Sequence, residues 1–215
     1  MSGHGNGGRA LGLQRGDILL KRADLFSLSH LAIAFGQKLG GSGKATTVHA
    51  AIYVGSDHIA ESSTGGLALM PLDGLATWKV FRMTRGSTLA PLAATVAMHL
   101  VDRSRRTATF GGYSMPAAAR SAFEEGREGD DVTTEIGDYA NQALSEIGGE
   151  SRAFFCSNFV VQCYSIASEY DNAGGGIAGT LYAIPLDHER TSPADLAEFF
   201  ETPLSGWSKV GEMRG

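Results

Sequence analysis

The chain has 215 residues, enough for one domain with a sizeable core, and its 43% hydrophobic and 19% charged residues are an ordinary globular balance. A net charge of -5 gives no footprint for a nucleic-acid partner, and no apolar run approaches the ~20 residues that span a bilayer. Two cysteines cannot make a secreted disulfide framework.

The N-terminal stretch MSGHGNGGRALGLQRGD lacks the basic-then-apolar pattern of a signal peptide, so synthesis in the cytoplasm is expected. Residues 1–12 are expected to be a flexible Gly-rich tail and 13–215 a single domain. GHGNGG at 3–8 matches the letters of a dinucleotide fingerprint, but no strand precedes it. KLGGSGKAT fails as a phosphate loop: Lys38 stands where the first glycine belongs, and Ala45 where Ser or Thr is required. FGQKLGGSGKATT, 35–47, therefore reads as a mobile loop at the rim of a site.

Residues 48–72 read as an antiparallel meander. VHAAIYVG is β-branched and aromatic, SD makes a tight turn, HIAES returns, and GGLALMPL follows a glycine break. This spacing puts His49 and Glu61 on neighbouring strands with side chains on one face. A carboxylate beside an imidazole fixes its tautomer and stabilises its charged form. His58 is the competitor, but alternation turns it away from the face of Glu61. His4, His30, His99 and His188 have no polar companion pattern and are expected in the tail, on the surface or in satisfied core positions.

In STLAPLAATVAMHLVDRSRR, Leu89, Leu92, Val96 and Leu100 recur at helical spacing, and the closing arginines suit a helix C-terminus. Tyr113, in FGGYSMP, is a candidate to contribute a hydroxyl to a substrate site. Residues 124–150 carry nine acidic side chains against one basic, Arg127, and read as a solvated excursion. Within it, IGDYANQALSEIGG is expected to be helical. TSPADLAEFFE has Ser192 as N-cap, Pro193 at N1 and Asp195 at N3, a strong helix start. GWSKVGEM is expected as a final edge strand.

The cysteines fall in FFCSNFVVQCY. Periodicity predicts a helix over 153–168. Seven residues along it rise ~10 Å, beyond the ~7 Å that a disulfide tolerates between Cα atoms. Cys163 is expected in the core, where free cysteine behaves as a small hydrophobe. Cys156 falls in the first turn, where unpaired N–H groups and the positive dipole end favour a thiolate. It reads either as a buried cysteine at a helix start or as a nucleophile. Cys156, His49, His58 and Glu61 include zinc-ligand types, but no tight pair such as C-x-x-C is present, so neither a metal nor another cofactor is expected.

GDILL at 16–20, HAAIYVG at 49–55, a polar residue twelve after the histidine, and FCSNFVVQCY after rather than before them together resemble the NlpC-like papain-fold hydrolases. Their order resembles the circularly permuted branch, which includes the lecithin:retinol acyltransferase-like proteins. The resemblance covers about 13–85 and 150–210. It implies an α+β, permuted papain-like fold: a small antiparallel sheet, opened by the GDI strand, with the nucleophile helix packed on it. It also implies Cys156 as nucleophile, His49 as general base and Glu61 as the group that orients the histidine; many relatives carry His, Asn or Gln at that third position.

The chemistry implied is acyl transfer through an acyl-enzyme, with the oxyanion held by backbone N–H groups at the helix start. NlpC-like relatives imply an amidase or endopeptidase on peptidoglycan peptides. The permuted branch implies a lipid acyltransferase or ester hydrolase instead, and a non-catalytic binding module is the third alternative. The substrate is thus a peptide or an acyl lipid. A wall substrate without a signal peptide leads to the expectation of an antibacterial effector. A specialised secretion system would deliver it to the periplasm of a target cell, and an immunity protein would be its partner.

Overall fold

The computed structural model describes residues 11–22, 47–72, 76–86, 88–106, 112–113, 153–173, 175–176, 184–187 and 190–214. They form an α+β structure. Six strands, β1 (Ile18–Arg22), β2 (Thr47–Gly55), β3 (His58–Ser63), β4 (Gly66–Pro71), β5 (Thr77–Met83) and β8 (Trp207–Arg214), make one sheet in the order β4-β3-β2-β1-β5-β8. Every neighbouring pair in it is antiparallel. β6 (Gly112–Tyr113) and β7 (Ala153–Phe154) form a short parallel pair. The helices are α1 (Leu89–Arg106), α2 (Cys156–Ala173) and α3 (Pro193–Glu201).

The meander is β2-β3-β4, as alternation predicts. The Ser56–Asp57 turn between β2 and β3 has both residues at positive φ, 53° and 56°, the geometry of a tight two-residue hairpin. The sheet is larger than the meander because β1 inserts between β2 and β5, and β8 closes the far edge. No element had been expected at 77–83; β5 stands there.

The sheet is buried on both faces. Ile18, Leu20, Ala50, Ile52, Ala60 and Phe81 face one core with the three helices. Leu19, Ala51, Tyr53, Ile59, Trp78 and Val80 face a second. The period of two sorts neighbouring residues between them.

The GD pair at 16–17 is a structural node. Gly16 has φ +90°, donates its N–H to the Tyr53 carbonyl at 2.9 Å and accepts the Tyr164 hydroxyl of α2. A Cβ there would lie 2.2 Å from the Ala90 carbonyl oxygen of α1. Asp17, 2% exposed, accepts two bonds from Arg82 of β5, at 2.8 and 2.6 Å, and one from the Gln14 N–H at 2.8 Å. Removing Arg82 would strand the buried charge of Asp17.

α3 starts where expected. The Ser192 side chain accepts the Asp195 N–H at 3.2 Å, and the Asp195 carboxylate accepts the Ser192 N–H at 2.7 Å, a reciprocal capping box. The cysteine helix starts later and runs longer than the 153–168 predicted, from Cys156 to Ala173. Ala153 and Phe154 satisfy a helical period equally well, but they are extended and pair with β6. The C-terminal turns leave the core, with Tyr170 53% exposed, so no apolar period marks them.

The tail at 1–10, the loop at 35–46, the side chain of Tyr113 and the acidic stretch 124–150 with its expected helix lie outside the described residues.

Candidate active site

Phe155 precedes α2 and accepts its first helical bond, from the Phe159 N–H at 2.9 Å. Cys156 is therefore the first helical residue, and its own N–H has no partner inside the helix. The helix start is fixed from the side: the buried Ser157 hydroxyl donates to the Thr191 carbonyl at 2.6 Å, next to the cap of α3. Buried Asn158 accepts from Gln162 Nε2 at 2.8 Å.

His49 reaches this point from the sheet. β2 and β3 are in register from Gly55–His58 to Ala51–Glu61, and no register pair joins them beyond Ala51. β3 continues to pair with β4 as far as Ser63–Gly66. The two strands part there, and the Ala50 N–H is directed to the Cys156 sulfur instead of to a strand. Glu61 is diagonal to His49 across the pair, within reach of long side chains. Its Oε2 lies 2.9 Å from His49 Nε2, leaving Nδ1 for the thiol. The three groups form a chain, Cys156 to His49 to Glu61, with Cys156 5% exposed and the His49 side chain 18%.

The charges follow from this geometry. Burial works against a charged His49, but the Cys156 sulfur and the Glu61 carboxylate outweigh it and push the imidazole from 6.5 up to about 10. Burial likewise opposes the Cys156 thiolate. The His49 charge and hydrogen bond, with the N–H groups of Ala50 and Ser157, outweigh it and lower the thiol below its ordinary value. Both shifts run towards a thiolate–imidazolium pair, the activated form of a nucleophilic cysteine. Cys163 is the contrast: fully buried with no such partner, its thiol is pushed well up and stays protonated. Both cysteines are free.

Glu61→Gln keeps an acceptor for the ring and removes the charge. The His49 titration, followed by imidazole NMR, should move down from about 10 by about one unit. An unmoved titration would mean that the Glu61 charge does not act on the ring.

His58 is outside this chain; its Nδ1 lies 2.7 Å from the Ser56 carbonyl, at the exposed hairpin turn. The backbone of Tyr113 pairs with Phe154, two residues ahead of Cys156. No group of three or more His, Cys, Asp or Glu among the described residues is arranged to hold a metal ion. Among them, too, no helix is long and apolar enough to cross a membrane. Sequence reasoning missed the Ala50 N–H, which no side-chain pattern signals, and Trp78, whose ring centre stands 6.3 Å from that of His49. No protein-family model, no curated protein and no solved structure matches this chain.

Proposed function

We propose that this protein is a cysteine hydrolase of permuted papain-like fold that cleaves an amide through an acyl-enzyme, with peptidoglycan peptides as its substrate class. The observation that carries the reading is the continuous chain from a helix-start thiolate through His49 to Glu61. The order of the strand bearing His49 and the helix bearing Cys156 supports the permuted fold. The wall-peptide substrate, and delivery as an antibacterial effector, rest on the resemblance of GDILL, HAAIYVG and FCSNFVVQCY to NlpC-like enzymes.

In the reaction, Cys156 Sγ attacks the carbonyl carbon, forming the S–C bond and placing a negative charge on the carbonyl oxygen. The Cys156 N–H, unpaired at N1, is one donor for that oxygen. His49 gives its proton to the amine as the C–N bond breaks. Neutral His49 then takes a proton from water, which attacks the thioester and expels the thiolate. Glu61 holds the ring in the tautomer and orientation that both steps need.

The test is the pH profile of Cys156 alkylation by iodoacetamide, read by mass spectrometry of its peptide. The expected profile is nearly flat from pH 6 to 8. A rate that climbs tenfold per unit, as for an ordinary thiol with pKa ~8.5, would sink the reading.

A further inference from the structure

Two hydrogen-bond donors stand in a row with His49 and have no acceptor to match them among the described residues. Lys21 of β1 is in register with His49 on one side and with Trp78 of β5 on the other. Residues directly opposite share a face, so the three side chains form one row across the sheet. Lys21 Nζ stands 5.9 Å from the centre of the Trp78 ring, and the Trp78 and His49 rings are 6.3 Å apart.

Trp78 Nε1 is buried without a hydrogen-bond partner among the described residues. Lys21 makes no ion pair among the described residues. An ammonium and an indole N–H can only donate. Buried donors without acceptors are rare in native structures because the lost hydration is not repaid. Glu61 and Cys156, the groups already bonded to His49, do not accept from the indole, whose Nε1 has no partner. A Lys21 stem resting on Trp78 would account for the lysine alone, and would leave the indole N–H unexplained.

The missing partner is an acceptor, and beside an ammonium it is an anionic one. We propose that Lys21 and Trp78 form a subsite for a carboxylate that the substrate carries close to its scissile bond. The subsite rests on the reading of Cys156 as nucleophile. It narrows the substrate class to acyl compounds with an acidic function near the bond that breaks.

The test compares iodoacetate with iodoacetamide on the intact protein. Both place one carbon on Cys156 Sγ with loss of iodide, and they differ in carrying a carboxylate or a neutral amide. The ratio of the two rates, read on the Cys156 peptide, should fall about fivefold in Lys21→Met, as for loss of a cation a few ångströms from the anion. Methionine keeps an apolar stem over Trp78, and Lys21→Arg should restore most of the ratio. Arg22→Gln is the control, because Arg22 is the next residue along the strand and pairs with Glu212 at 3.6 Å; its ratio should stay at the wild-type value. A ratio that Lys21→Met leaves unchanged, or that Arg22→Gln lowers equally, overturns the subsite while Cys156 still reacts as a His49-dependent thiolate. Slow alkylation that does not depend on His49 overturns the nucleophile reading and takes the subsite with it.

Discussion

Replacing His49 by alanine should slow the alkylation of Cys156 at pH 6 by about thirtyfold and replace a flat pH profile with one that climbs tenfold per unit. His49 is the main counterweight to the burial that opposes the thiolate. Without the imidazolium, burial remains and only the Ala50 and Ser157 N–H groups act on the other side. An ordinary thiol with pKa ~8.5 is only ~0.3% thiolate at pH 6. The more basic thiolate of the variant is intrinsically more nucleophilic, which returns roughly one order of magnitude of that loss. Labelling of Cys163 separates this outcome from misfolding, because only an unfolded chain would expose it to the reagent. The window follows from His49: its positive charge is present below about 10 and lost above it. The variant should catch up with the wild type at about pH 7.5 and be the faster of the two above it, while the wild-type ion pair persists. Equal rates at pH 6 would show that the thiol is not held as an ion pair.

Gly16→Ala should cost about 3–5 kcal/mol of stability, a fall in melting temperature of roughly 10 °C for a chain of this size. At φ +90° an L side chain is strained, and the added Cβ would stand 2.2 to 2.6 Å from the carbonyl group and Cβ of Ala90. Those are mostly backbone atoms of α1 and cannot swing aside. Moving Gly16 instead would pull on its bonds to Tyr53 and Tyr164, and so on β2 and α2 together. Gly12→Ala isolates the conformational part, because Gly12 has φ +56° and nothing within 4 Å of the new Cβ. It should cost only ~1 kcal/mol. Urea unfolding of the two variants measures both, and equal midpoints would show that the contact with α1 is not tight.

The meander was legible because HAAIYVG and HIAES alternate with period two around a turn. The same period put His49 and Glu61 on one face, so their 2.9 Å contact needed only one hairpin to be read. The start of α3 was legible because its capping box is complete within four residues. Periodicity found the cysteine helix and misplaced its start, since Ala153 and Phe154 fit a helical stripe and a strand alike. β5 went unassigned, although it supplies both Trp78 and Arg82.

By itself, then, the sequence determined the elements whose signals are local: alternation, helical period, the capping box, and the two tight-turn residues between β2 and β3. Tertiary structure decided what meets across long separations. It set β1 between β2 and β5, which puts Lys21 beside both His49 and Trp78 and closes the Asp17–Arg82 pair. It also decided that β2 and β3 part beyond Ala51, which lets Cys156 at a helix end meet a histidine on the opposite face of the sheet. Local patterns record how each segment presents its own side chains. Which segments become neighbours is set by burying all their apolar faces at once, and no single segment carries that information.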